Sequence, residues 1–316
     1  MFDVPILITI YNRADVTLEM YNILEKIKPK YLYINADGPK LNNKLDELRC
    51  NNARRIFLNL KWDCKVEYNF STYNKGCKLS ISEGITWFFD NVEYGIILED
   101  DCIPNISFFS FCKILLEKYR YNEEIYHING SNFLGNIDPF YTESYSFTKH
   151  VSIWGWATWK RAWDKYDLNL KNLNSFNYNI FNEKSFSLYA KYHYTQAFFD
   201  AANNIHNSWC TAWIFTVYNN NGISITPKFN LVSNIGTQNL PTHDFLNDRF
   251  KDNLPTHNII FPLTHPNYSI NYKSDLINFK FYRGKSFFRL YYLLFDNTFI
   301  NIFSYLKKRY KSGKFF

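Results

Sequence analysis

Residues 94–101 read Tyr94-Gly95-Ile96-Ile97-Leu98-Glu99-Asp100-Asp101, a short apolar run that stops on three consecutive acids. Five residues are too few for a stable helix. An unbroken apolar stretch of that length fits a strand buried on both faces of a parallel sheet. In open α/β sheets, ligands bind beyond the carboxyl ends of the strands. Three adjacent carboxylates there repel one another unless a cation or basic group sits among them. Hard divalent cations such as Mn2+ or Mg2+ take oxygen ligands of this kind and share them with substrate phosphates. The plainer reading is a solvated acidic turn, favourable with the dipole of a helix starting near Asn105. The buried strand in front of the acids favours the metal.

Outward from this stretch the chain alternates. Residues 4–11 (Val-Pro-Ile-Leu-Ile-Thr-Ile-Tyr) form a second continuous apolar run, followed by a helical pattern to about residue 27. A short strand at 31–35 ends at Asp37-Gly38-Pro39. A charged helix covers 43–58, a strand Lys65–Phe70, and helices 76–89 and 105–120. Strands and helices at this spacing predict right-handed βαβ units and a parallel sheet. Past residue 125 the pattern is mixed. Strands are expected at 125–128 and 145–149, a Gly155-Trp156 turn before an amphipathic helix, irregular chain at 169–187, a helix at 187–205, and short strands at 223–226 and 229–232. The fold class is α/β, a mixed and mainly parallel sheet flanked by helices. Neither a repeat nor a linker divides it. Residues 1–280 are expected to form one domain, with a nucleotide-binding half at 1–125 and an acceptor half at 126–280. A basic, aromatic tail at 281–316 follows.

Aromatic residues make up 20% of the 316, which excludes a disordered chain. The net charge of +7 is confined: residues 281–316 hold eight Lys or Arg against Asp296, while residues 1–280 balance. A neutral body leaves no footprint for nucleic acid. The six cysteines show no CxxC or other zinc spacing, and four of them lie within or beside apolar segments, where a free thiol behaves as a small hydrophobe; this predicts a reducing compartment. The start, MFDVPILITIYNR, lacks the basic region and cleavage site of a signal peptide, and no apolar run approaches the ~20 residues of a spanning helix. A cytoplasmic protein is expected, peripheral at the inner face of the membrane if the tail binds lipid.

Three further pieces carry chemistry. Tyr11-Asn12-Arg13 leaves the first strand, where an Arg and helix-start amides can hold a diphosphate; the alternative is Asn12 capping the helix with Arg13 solvated. Asp37 could accept from a ribose hydroxyl or base N–H, or belong to a plain turn. Lys75-Gly76, at a helix start, could approach a phosphate. No GxGxxG and no Walker lysine loop occurs, so ordinary dinucleotide and P-loop readings fail.

Together these pieces resemble the GT-A (Rossmann-like) nucleotide-sugar glycosyltransferases, and more closely bacterial relatives of N-acetylglucosaminyltransferase I. The likeness spans roughly residues 4–245. Pro5-Ile6-Leu7-Ile8-Thr9-Ile10 with Arg13 resembles that family's opening strand and its diphosphate Arg. Asp37 falls where the family places an Asp on uracil. Ile96–Asp101 matches its DxD-type strand, which implies that Asp101 ligates Mn2+ while Glu99 and Asp100 face the ribose and sugar. Phe108-Phe109 and the Gly155-Trp156 turn also fit. The resemblance implies a UDP-sugar donor (GlcNAc-type or another hexose), a glycan or lipid-linked glycan acceptor, inversion at the anomeric carbon, and a place in bacterial surface polysaccharide or lipooligosaccharide synthesis.

One departure concerns the base. The family has Trp-Asp with a second Trp close behind, whereas this chain has Trp209-Cys210-Thr211-Ala212-Trp213. Cys210 is a poor match for deprotonating a sugar hydroxyl. Asp200 and His206 are the nearest substitutes, and the alternative is a catalytically weakened sugar-nucleotide or glycan-binding protein. A sugar nucleotidyltransferase would share the layout but open with a Gly-rich basic loop. His243, after a Gly- and Pro-containing loop, is a candidate metal ligand by the same resemblance. Trp154 or Trp209 is expected to wall a sugar pocket, with Trp159 and Trp163 in the core. In the tail, Phe288, Tyr292, Phe295, Phe299, Ile302 and Leu306 share a helical stripe ahead of Lys307-Lys308-Arg309, the composition of a helix lying on an anionic membrane.

Overall fold

The computed structural model describes residues 1–134, 142–236 and 253–283. The chain begins with β1 (Ile6–Ile10), α1 (Ala14–Ile27), β2 (Tyr31–Ala36), α2 (Lys44–Arg55), β3 (Lys65–Phe70), α3 (Cys77–Asn91) and β4 (Tyr94–Glu99). The run Ile6-Leu7-Ile8 is fully buried, as is Ile96, and each such side chain contributes roughly 1.5–3 kcal/mol. With no polar face to expose, these strands pair in parallel at the centre of the sheet: β1 lies between β2 and β4, and β3 flanks β2.

After β4 come β5 (Cys102–Pro104), α4 (Ile106–Lys118), β6 (Ile125–Asn129), β7 (Tyr145–Thr148), β8 (Trp156–Trp159) and the short α5 (Lys160–Trp163). Then follow α6 (Leu188–Ala202), α7 (Trp209–Asn219), β9 (Ile223–Pro227), β10 (Val232–Asn234) and α8 (Tyr272–Arg283). The sheet order is β3-β2-β1-β4-β8-β6-β9-β7, with β8 antiparallel to both β4 and β6. The α/β class and the mixed, largely parallel eight-stranded sheet flanked by helices therefore stand. A small antiparallel pair, β5 with β10, sets Asn234 opposite Cys102.

One stretch differs from the sequence reading, and a second adds a helix to which the sequence pattern assigned no element. The residues after Gly155-Trp156 form a central strand before four residues of helix. The alternation of buried Trp156 and Trp159 with small Ala157 and Thr158 packs on both sheet faces, where Trp159 Nε1 donates to the Leu116 carbonyl at 3.0 Å. Trp209-Cys210-Thr211-Ala212-Trp213 opens a helix, with Ser208 as its cap accepting from the Thr211 N–H. Aromatics crowd one side of the sheet: Trp156, Trp163, Trp209 and Trp213 pack together with Phe176, Phe198 and Phe215. Trp159 and Trp163 are core, as expected. None of the six cysteines forms a disulfide, and among the described residues no helix is long and apolar enough to cross a membrane.

Candidate functional site

The chain runs β1-β2-β3 outward in one direction and then places β4 on the other side of β1. Such a reversal leaves a crevice at the carboxyl ends of the two strands where it occurs, because the connections depart to opposite faces. Arg13 stands at the exit of β1 and Glu99, Asp100 and Asp101 at the exit of β4, with Thr9 paired to Glu99 across the ladder. The Arg13 guanidinium spans the crevice. Its Nη2 forms a short ion pair with Asp100 Oδ1 and donates to Asp101 Oδ2 at 2.9 Å. Burial works against the arginine's charge, but the two carboxylates outweigh it and raise its pKa.

One guanidinium does not balance three acids. Burial first, then repulsion from Asp101 and Asp100, holds the Glu99 carboxyl above the usual carboxylate range. Burial also raises Asp100, against the pull of Arg13. Asp100 Oδ2 is buried without a hydrogen-bond partner. These are marks of a site with room for more positive charge, and its donors are the hard oxygens that Mn2+ and Mg2+ prefer. Among the described residues no three His, Cys, Asp or Glu side chains form a ready-made cage. The donor chemistry fits a hard divalent cation only if that cation draws further ligands from outside these three acids.

Asp101 is braced from the opposite side. Asn234 Nδ2 donates to Asp101 Oδ1 at 3.2 Å, and the Ile235 N–H donates to the Asp101 carbonyl at 2.9 Å. Asn234 Oδ1 accepts the Gly236 N–H at 2.9 Å. A Cβ on Gly236 would lie 2.2 Å from Asp101 Oδ2, so glycine is needed for this approach. The Asn253 N–H returns to the Asn234 carbonyl at 2.8 Å, so both flanks of residues 237–252 stand beside Asp101. His243 belongs to that segment and lies outside the described residues.

Other candidates take different places. Asp37 is buried with both oxygens in use: Oδ1 accepts the Gly38 and Lys75 N–H groups, and Oδ2 accepts the Gly76 N–H and Asn74 Nδ2, all at 2.8–3.0 Å. It ties the loop before α3 to the end of β2, and that use of its lone pairs argues against the expected contact with a base or ribose. Gly76, at φ 78°, permits the turn. The Lys75 ammonium turns to Glu83 at 2.6 Å rather than toward the acids. Tyr11 and Asn12 do not present their side chains to the crevice either. Tyr11 Oη and Asn12 Nδ2 donate to Asp46 at 2.6 Å each, and the Lys40 N–H donates to the same carboxylate. These hydrogen bonds hold Asp46 below its usual pKa despite burial. Arg13, not Asn12, is the residue that opens α1.

Trp209 is buried and stacks on Trp156 with ring centroids 6.1 Å apart, so it is core and not a pocket wall. Trp154 is half-buried with its ring edge-on to Phe133 at 5.2 Å. Asp200 sits on α6 accepting from Gln196 Nε2 at 2.8 Å, and His206 is exposed in the turn that follows. Cys210, in the first turn of α7, lies 3.0 Å from Ser208 Oγ. Asp46 and Asn234 were missed by sequence reasoning. The signal for Asp46 was its spacing from Asn43, the N-cap whose Oδ1 accepts the Asp46 N–H at 3.0 Å; nothing in the sequence tied Asn234 to Asp101.

A cleft of about 650 Å³ opens between the loops that follow β2 and β3, lined by residues 39–44 and 72–74 with Glu47, and none of Arg13, Glu99, Asp100 or Asp101 lines it. No protein-family model matches the chain, and no curated protein matches it significantly.

Proposed function

We propose that the chain is a GT-A, metal-dependent glycosyltransferase that moves a sugar from a UDP-sugar to a glycan or lipid-linked glycan acceptor with inversion. The observation that carries the reading is the meeting of Arg13 and the Glu99-Asp100-Asp101 triplet across the reversal between β1 and β4. A diphosphate is the ligand class that brings phosphate oxygens for Arg13 and for a cation at once.

In this reading the acceptor hydroxyl attacks the anomeric carbon on the face opposite the diphosphate. The C–O bond to the diphosphate breaks, its electron pair departs with the phosphate oxygen, and the hydroxyl proton passes to a base. Mn2+ or Mg2+, held by Asp101 with His243 as second candidate ligand, would supply Lewis-acid stabilisation of the leaving diphosphate. Arg13 leans from Asp100 and Asp101 toward the same charge, and its fixed guanidinium needs little reorganisation as that charge develops. Asn234 holds Asp101 in position. Glu99 and Asp100 take the ribose and sugar by resemblance.

The base is the open place in the scheme. Cys210 stands where the family has Asp, and the Asp200 carboxylate is engaged with Gln196. That observation supports a second reading, a sugar-nucleotide-binding protein without efficient turnover. The nucleotidyltransferase reading lacks the Gly-rich basic loop it needs after β1.

Calorimetric titration of UDP, with and without Mn2+, into wild type and Asp101→Ala tests the site. Binding that needs both the metal and Asp101 supports it and leads to a panel of UDP-sugars for turnover. Equal UDP binding by the two proteins in Mn2+, or none by either, would sink the proposal.

A further inference from the structure

The buried side of α6 is formed by Ala190, Tyr194, Phe198 and Ala201. At 100° per residue the opposite side presents Leu188, Tyr192 and Phe199 within one narrow stripe. These are 88%, 67% and 53% exposed. A surface helix normally turns polar residues outward, and a helix apolar on both sides has a second partner to cover it. The neighbouring helix leaves that stripe open: α8 packs beside it through Phe279, which touches Tyr189, His193 and Tyr194.

We infer that this outer face of α6, with the adjoining start of α8, is a docking surface for an anionic lipid bilayer. Charge selects the occupant. Lys191 lies one turn from Leu188 on α6, the Lys184 ammonium just before α6 sits 5.4 Å from the centre of the Tyr272 ring that opens α8, and Lys273 follows Tyr272. Of the acids nearby, Asp275 is buried and accepts from Thr148 Oγ1 and the Lys149 N–H, and Glu183 pairs with Lys149 at 3.7 Å, while Asp200, hydrogen-bonded to Gln196, keeps its charge and leaves the lysines in excess. The chain leaves α8 at Arg283, and the 33 residues that follow hold seven Lys or Arg against one Asp. Exposed tyrosines and leucine ringed by lysines match an interface whose apolar depth is shallow and whose headgroups are negative. The C-terminal end of α6 meets the start of α3, since Asn204, just past α6, accepts from Lys78 Nζ at 3.1 Å.

The test needs no sugar donor, so it stands apart from the glycosyltransferase reading. The full-length chain is floated with vesicles of phosphatidylcholine alone or mixed equally with phosphatidylglycerol. The same is done for Leu188→Glu/Tyr192→Glu, and the thermal midpoints of both proteins are recorded. The inference expects wild type to float with the anionic vesicles only, and the double variant to lose binding by about tenfold or more with an unchanged midpoint. Three outcomes overturn it. One is wild type that stays unbound, and another is a variant that binds as wild type does, which would move lipid contact away from this face. A large fall in the variant's midpoint would show that the protein itself covers the stripe.

Discussion

Asn234 and Asp101 meet across the β5–β10 ladder from positions far apart in the chain: the carboxamide Nδ2 donates to the carboxylate at 3.2 Å while the Asn234 Oδ1 is fixed by the Gly236 N–H. An amide held at both ends cannot swing away, so it restrains the carboxylate on the side opposite Arg13. Outer partners of this kind typically change metal affinity by about 10–100-fold when removed. Asn234→Ala is therefore expected to weaken Mn2+-dependent UDP binding by about tenfold. Metal-free UDP binding and the urea midpoint should move little. Calorimetry at fixed Mn2+ checks this, and an unchanged UDP affinity in Mn2+ would show that the brace is irrelevant.

Gly236 gives an independent probe of the same carboxylate. An alanine there must push Asp101 Oδ2 away from a position 2.2 Å from the new Cβ. The displaced tip belongs to a side chain held by Arg13 and Asn234, so both contacts would shift together. Gly236→Ala should lose UDP–Mn2+ affinity at least as severely as Asn234→Ala while circular dichroism stays that of wild type. Retained affinity would mean that the Asp101 orientation seen here does not govern binding.

Asp37 tells how far the sequence alone could be read. Its place after a buried strand was legible, because apolar runs and turn residues report position along a chain. Its hydrogen bonds were not, since three of the four donors lie 37–39 residues away, in Asn74, Lys75 and Gly76. The same distinction runs through the molecule. The βα alternation to residue 99 and the acids beyond β4 follow from local pattern, whereas β8 was hidden because its tryptophans pack by contacts from both faces of the sheet. For Asp37→Asn the prediction is structural: an amide nitrogen would face backbone N–H groups, leaving donors unpaired at about 1–3 kcal/mol. Urea unfolding should register that loss, and a variant with full stability but no UDP binding would restore the base-binding role to Asp37.

His127 sets a pH dependence of stability. It is fully buried, its Nδ1 accepts from Trp213 Nε1 at 3.1 Å, and its Nε2 faces the Ser152 carbonyl at 2.9 Å. Because the indole only donates, the neutral ring carries its proton on Nε2, and a second proton on Nδ1 would oppose the Trp213 N–H. Burial accordingly pushes its pKa down from 6.5 to about 4. Above pH 6.5 folded and unfolded chains are both neutral here. As pH falls from 6.5 toward 4 the unfolded chain takes a proton that the folded one refuses, so stability is lost, up to about 3 kcal/mol. Asp275, pushed up to about 6 chiefly by burial, acts in the opposite sense over about pH 6 to 4. The informative quantity is therefore the stability difference between wild type and His127→Gln. That difference should shrink in wild type's disfavour between pH 7 and pH 4, and a pH-independent difference would contradict a buried neutral imidazole.

Cys210 separates the two functional readings. It occupies the first turn of α7, whose N-terminal dipole favours a negative charge by about 0.3–1 kcal/mol, and Ser208 already caps the helix beside it. Cys210→Asp should thus fold as well as wild type. If the missing element of the site is a base, this variant will turn over a UDP-sugar faster than wild type, with a rate that rises as the new carboxylate ionises and with UDP affinity unchanged. The size of the gain is bounded by what a positioned base supplies, about 10²–10⁴-fold. Transfer from a UDP-sugar panel to a mixed glycan acceptor, followed by release of UDP, measures it. Wild-type turnover that Cys210→Asp does not increase would place the base elsewhere in the chain and remove the argument for a binding-only protein.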